Sequence, residues 1–285
     1  MTKSDLSIVP CVWISEPLES AIDYYSEIFR DVTVEKSGNV AQIAIHGEQL
    51  MILAADESYT PNPSISGVLN FDPLLFGGED GARDYLRECH AQLGEGGDLM
   101  PLGEYPFSPL YAWVRDRFGF TWQLMLTDPA GEPAPFFIPA FMFGGSNHGN
   151  CEAATNHWMS LFGGERKSLL RYDEKGPLDA GTIQFTNFTL RGRWFAAMDS
   201  GTFHDFTFSP GVSISASVSS QAELDALWAG LSRKAEAEQC GWCQDEWGVS
   251  WQIVPSHIAH LWADPDIRSR ILSMGKIELE EELWA

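Results

Sequence analysis

A chain of 285 residues that is 44% hydrophobic holds enough apolar material for two cores of ordinary size, which excludes a disordered protein. Forty acidic against eighteen basic residues leave a formal charge of −22, which repels phosphate backbones and anionic bilayers, so neither nucleic acid nor a membrane is expected as a partner. No apolar run approaches the ~20 residues of a membrane span. The N-terminus lacks a basic-then-apolar leader and the five cysteines have no framework spacing, so a cytoplasmic protein with reduced thiols is expected.

Residues 1–7 read as an unstructured lead-in. The spacing then predicts a strand over 8–14 and a helix over 16–29, with Leu18, Ala21, Ile22, Tyr25, Ile28 and Phe29 on one stripe. Strands over 40–45 and 49–54 flank a turn at His46-Gly47-Glu48, a Pro-rich stretch follows, and 65–71 is a further strand. Helical spacing returns over 82–93, and the Gly/Pro-rich 94–109 leads to Trp113. Three prolines and a glycine make 128–136 a linker, after which the programme restarts. Strands are expected over 137–143, 182–190, 194–198 and 211–218, with helices over 152–162 and 221–231. The tail from 257 has no counterpart in the first half, and its apolar side chains point to packing on the body or on a second copy of the chain.

One stretch occurs twice. Trp113-Val114-Arg115-Asp116-Arg117-Phe118-Gly119-Phe120-Thr121-Trp122-Gln123-Leu124 returns as Trp242-Cys243-Gln244-Asp245-Glu246-Trp247-Gly248-Val249-Ser250-Trp251-Gln252-Ile253, ungapped and displaced by 129 positions. Each copy reads as two strands and a corner in which Asp116 or Asp245 bonds the turn backbone and Gly119 or Gly248 takes a positive φ. The helix 19–29 matches 152–162 at a displacement of 133, because the loop 144–150 is longer. The chain is a tandem duplication, each half reading β-α-β-β-β-α-β-β.

The stretches Pro10-Cys11-Val12-Trp13-Ile14 and Gln239-Cys240-Gly241-Trp242, with the signature through Pro255, resemble the PhnB-like branch of the vicinal oxygen chelate superfamily. That superfamily includes glyoxalase I, the bleomycin-resistance proteins and extradiol dioxygenases, and this branch often carries the label 3-demethylubiquinone-9 3-methyltransferase. The resemblance implies an α+β fold of two tandem domains, each of paired βαβββ modules curling into a cup with helices outside. The domains would span 8–127 and 137–256, joined by the 128–136 linker and followed by the tail 257–285. The two domains would form an intramolecular pseudo-dimer, with homodimerisation through the tail an open option.

Within that resemblance, the glutamate expected to hold a divalent ion falls on Gln123 and Gln252, and a neutral amide lacks the charge that offsets a dication's desolvation. No metal and no cofactor is therefore expected. The isolated glycines and missing acidic partner also speak against methyl transfer from S-adenosylmethionine. The favoured reading is a metal-free cup that binds an apolar or aromatic small molecule, with Trp113, Thr121, Gln123, Trp242, Ser250, Gln252 and the loop residue His204 as ligand contacts. The alternatives are a lyase or isomerase using Cys11, Cys240 or Asp245, and a metal enzyme assembled from Glu19, Glu152 or His204. The C-x-x-C of Cys240 and Cys243 runs into a strand rather than opening a helix, which argues against a thiol-redox site.

Overall fold

One unit, a strand, a helix and two or three antiparallel strands, recurs four times in the computed structural model, which describes residues 7–131, 134–173 and 180–284. The first unit is β1 (Ile8–Ile14), α1 (Leu18–Ile28), β2 (Val32–Ser37), β3 (Val40–Ile45) and β4 (Glu48–Ala54). The second is β5 (Ile65–Phe71), α2 (Glu79–Leu93), β6 (Asp98–Tyr105), β7 (Ser108–Arg115) and β8 (Thr121–Leu126). The third is β9 (Phe137–Phe143), α3 (Cys151–Phe162), β10 (Arg166–Arg171), β11 (Ile183–Leu190) and β12 (Arg193–Asp199). The fourth is β13 (Val212–Val218), α4 (Gln221–Leu231), β14 (Trp242–Gln244) and β15 (Ser250–Pro255), and α5 (Ile258–Ala263) and α6 (Pro265–Leu272) follow it. Residues 1–6, most of the expected lead-in, and 132–133 of the linker lie outside the described residues.

Strands β2, β6 and β10 are additions to the sequence reading, and each has a reason for escaping it. They are the outer strands of their units, so most of β2 and β10 is exposed and neither shows an apolar alternation. Strand β6 carries Pro101 and Gly103 and pairs with β7 only through register shifts. The fourth unit has no such strand among the described residues. Instead the tail covers the edge, where the backbone N–H groups of Cys240 and Gly241 donate to the carbonyls of Met274 and Gly275 at 2.6 and 2.8 Å. Ile271 and Ile277 of the tail are wholly buried in the main core, so the tail packs on the body.

The units pair across the two halves of the chain. A seven-stranded sheet runs β14-β15-β13-β1-β4-β3-β2, joining the first unit to the fourth. An eight-stranded sheet runs β10-β11-β12-β9-β5-β8-β7-β6, joining the third to the second. The seams are antiparallel: Cys11 of β1 lies opposite Ser213 of β13, and Ser66 of β5 opposite Ala140 of β9. Each sheet is mixed, and each needs strands from both sides of the linker.

Strand alternation separates two faces. Val12 and Ile14 of β1, Ile214 and Ala216 of β13 and Trp251 and Ile253 of β15 point into one continuous core, together with Trp122, Leu124, Phe141 and Phe195 of the other sheet. The buried residues of α1 to α4, among them Tyr25, Leu86, Trp158 and Leu227, belong to that same core, so the helices are packed between the sheets. The opposite faces look outward, and they form the two cups.

Candidate functional site

The duplicated signature positions each cup. In the first copy Asp116 Oδ1 accepts from the backbone N–H of Phe118 and Phe120 at 2.9 and 3.0 Å, while Oδ2 accepts from Tyr25 Oη at 2.7 Å and Trp122 Nε1 at 2.8 Å. In the second, Asp245 Oδ1 accepts from Trp247 and Val249 N–H at 3.1 and 2.9 Å, and Oδ2 from Trp158 and Trp251 Nε1 at 3.1 and 3.0 Å. Burial pushes both carboxyls up to about 6, against the pull of these donated bonds. Each Asp ties a helix of one sheet's unit to a turn of the other sheet, so it clamps the two layers together. Gly119 and Gly248 sit at φ +87° and +89°, the left-handed region that the corner requires.

With the core-facing residues fixed by this clamp, the alternate positions face the cups. In the eight-stranded cup Gln123 lies opposite Trp113, and its carboxamide is fully engaged: Tyr111 Oη donates to Oε1 at 2.8 Å and Nε2 donates to Ser66 Oγ at 2.9 Å. Around it Val68, Ile138, Ala140 and Ala196 form an apolar floor, flanked by Met125, Met198, Trp194 and Phe185. Trp113 Nε1, Thr121 Oγ1 and Asn187 Oδ1 are buried there without a hydrogen-bond partner among the described residues.

The seven-stranded cup differs at corresponding places. Gln252 lies opposite Trp242 and donates from Nε2 to Ser213 Oγ at 2.9 Å, with the Cys11 thiol within hydrogen-bonding reach of both side chains. Cys240, which aligns with Tyr111, has its backbone bonded to Met274 under the tail, so Oε1 of Gln252 lacks the tyrosine donor that Gln123 has. Ser215 stands where the other cup has Val68, and Trp13 where it has Met142. Trp13 meets Trp242 and Tyr59 edge-on, at centroid separations of 6.2 and 5.2 Å. Gln252 is half-buried, whereas Gln123 is buried.

The structure therefore brings together Cys11, from the first half, with Gln252, Trp242 and Ser250, from the second. Sequence reasoning singled these out separately, and Ser213, Ser66, Tyr111 and Trp13 it did not place in a site. The repeat itself offered a signal, because both serines lie beside a signature glutamine one strand away. Cys240 is half-buried and faces the tail rather than Gln252; burial raises its thiol and pushes that of Cys11 up to about 11. His204 stacks on Phe206 and meets Thr202 Oγ1 at 3.2 Å, beside Gly144 rather than over either glutamine. Glu19 is paired with Lys36 and Glu152 with Arg171, on different helices, so these two and His204 do not converge.

A divalent ion, implied by the superfamily, would meet Gln252, Cys11 and Ser213 in one cup and Gln123, Ala140 and Ser66 in the other. Neither set holds a carboxylate, and a thiol raised to about 11 is a poor anionic donor at neutral pH. The residues do not fit a dication. Among the described residues no group of three or more His, Cys, Asp or Glu could hold a metal ion, and no helix is long and apolar enough to cross a membrane.

Two cupped mixed sheets built from repeated β-α-β units, with helices on their convex faces, define a protein of the vicinal oxygen chelate superfamily, the glyoxalase and bleomycin-resistance class. Within it the chain belongs to the family described as 3-demethylubiquinone-9 3-methyltransferase, whose model matches residues 6–125 and again 135–254. Glyoxalase I from Zea mays shares the fold, with a TM-score of 0.52 at 11% identity over 90% of this chain and 96% of that one. The PhnB protein from Bacillus cereus is 21% identical over 41% of this chain and 96% of its own, with a TM-score of 0.36. A glyoxylase/bleomycin resistance protein/dioxygenase domain from Frankia sp. EAN1pec is 18% identical over 46% of this chain and 96% of its own, with a TM-score of 0.32. No curated protein matches the chain.

Proposed function

We propose that the chain binds an apolar or aromatic small molecule, without a resident metal, in the cup of the seven-stranded sheet. The observation that carries this reading is Gln252: a half-buried carboxamide held by Ser213, with no tyrosine on its Oε1, on the same sheet face as Trp13, Trp242, Met51 and Leu53. Aromatic and thioether surface supplies the affinity of such a site, and one amide acceptor orients a ligand that presents an O–H or N–H. Turnover by a thiol is disfavoured, because Cys11 is buried and its thiolate is suppressed. Methyl transfer is disfavoured too. Gly67, in the buried strand β5, has Trp122 and Phe137 ring atoms at 2.7 and 2.9 Å from where a Cβ would lie, so its missing side chain serves ring packing rather than a nucleotide turn.

Titrating the intrinsic fluorescence of the full chain with a panel of aromatic phenols, amides and polycyclic compounds tests the proposal. Saturable quenching by at least one member is expected, weakened about 10-fold by Gln252→Leu, the worth of one hydrogen bond. A panel with no saturable response, or a Gln252→Leu variant that binds as tightly as the parent, overturns it.

A further inference from the structure

The two halves differ most where β1 and β9 hand over to their helices. Three residues, 15–17, connect β1 to α1, whereas seven, 144–150, connect β9 to α3. The longer loop folds onto the second signature turn, where Asn147 Nδ2 donates to Trp247 O at 2.5 Å and to Thr207 Oγ1 at 2.7 Å. In the repeat Trp247 corresponds to Phe118, and Thr207, placed five residues before β13, corresponds to Thr60, five before β5.

Nothing in the first half takes the place of Asn147. Between the short loop and the first signature turn lies instead a cleft of about 490 Å³, lined among others by Trp13, Glu16, Tyr59, Thr60, Arg117 and Phe118. That volume falls within the range of small-molecule sites. Phe118 O and Thr60 Oγ1, the counterparts of the two acceptors that Asn147 satisfies, have no hydrogen-bond partner among the described residues. Three carboxyl groups of the lining, on Glu16, Glu95 and the buried Asp116, stand against two guanidiniums, those of Arg115 and of Arg117, which pairs with Glu16 at 2.8 Å. The lining is therefore one charge negative when all three are ionised, which favours a neutral molecule over an anion. Tyr59 is 44% exposed and meets Trp13 edge-on, offering a flat molecule ring contacts.

We propose that this cleft is a second binding site, sharing Trp13 with the seven-stranded cup, for a neutral aromatic molecule bearing a primary carboxamide. Its NH2 group takes the position of the Asn147 amide and donates to Phe118 O and Thr60 Oγ1, while its ring lies against Trp13 and Tyr59. The chain's own second half supplies the template for the interaction, and the shorter connecting loop of the first half supplies the space.

Benzamide is the probe, with acetophenone as the neutral control that keeps the ring and the carbonyl and removes the donor. Titrated into the isotopically labelled full chain, benzamide is expected to give saturable amide and indole shifts at Trp13, Gly96, Phe118 and Gly119, with a Kd on the order of 1 mM for so small a ligand. Acetophenone is expected to bind about 10-fold more weakly or worse, for want of the donated bonds. Replacing residues 15–17 by Gly-Gly-Ser-Asn-His-Gly-Asn, the sequence of 144–150, fills the cleft from within and should abolish the shifts. Should that graft fail to fold, Tyr59→Ala, at an exposed position, weakens binding about 10-fold by removing ring contact. The proposal is overturned by an absence of saturable shifts, by equal binding of acetophenone, by binding that survives the graft or, where the graft does not fold, the Tyr59→Ala change, or by shifts confined to Ser213 and Gln252, which would place the probe in the cup.

Discussion

Replacing Asp245 by Asn tests whether one carboxylate clamps the helical layer to the turn. The change keeps Oδ1 for the N–H groups of Trp247 and Val249 but sets an amide NH2 against the indole N–H of Trp158 and of Trp251, so two buried donors lose their acceptor. An unmet buried donor costs about 1–3 kcal/mol, which puts the loss at roughly 2–6 kcal/mol. Whole-domain stabilities are about 5–15 kcal/mol, so the variant should be much weakened yet folded. Urea unfolding at pH 7.5, followed by circular dichroism, reads the midpoint and slope, and a midpoint that falls at constant slope gives the loss directly. Tryptophan emission should shift to the red well before the parent's, because Trp158 and Trp251 are both wholly buried. A loss under about 1 kcal/mol, less than one unmet donor, refutes the clamp.

The pH dependence follows from the same pair of groups. Burial raises Asp116 and Asp245 from the ordinary 3.8 to about 6, so between those limits the native state holds protons that the unfolded chain has released. Their contribution to stability is complete below about pH 4 and is lost as pH rises through about 6, so the advantage of the parent over Asp116→Asn should narrow across that window in urea titrations. An advantage that widens with rising pH would show that the four donors, rather than burial, set the carboxyl. Removing residues 257–285 takes Ile271 and Ile277 out of the core and uncovers the β14 edge. At about 1.5–3 kcal/mol per fully buried aliphatic side chain, a loss of roughly 3–6 kcal/mol is expected. Size-exclusion chromatography should also show self-association through the bare strand. A truncated chain as stable and as monodisperse as the parent would contradict this packing.

The duplication, the two-strand signature and its Asp-Gly corner are legible in the chain because they are local: a repeated pattern, period-two alternation and a turn residue with positive φ need no partner to be recognised. The same holds for the apolar stripe of α1 and for the glutamines at the positions where a carboxylate ligand is expected. Strands β2, β6 and β10 were not legible, because an outer strand with solvent on both faces has no reason to alternate. The division of the aromatic rings was only half visible. Trp122 and Trp251 are core and Trp113 and Trp242 face a cup, a difference decided by a single step of register.

What the sequence determined by itself was the unit, its fourfold use and the chemistry available at each signature. What only the tertiary structure decided was partnership. Pairing of β1 with β13, and of β5 with β9, is a contact between strands about two hundred and about seventy residues apart, and no local pattern records which equivalent unit a strand will choose. That choice sets Cys11 beside Gln252, leaves one glutamine satisfied by Tyr111 and the other without a tyrosine donor, and opens a cleft where a shorter loop fails to reach. The physical reason is that four near-identical units have near-identical edges, so their pairing is selected by the packing of the whole core and not by any one strand.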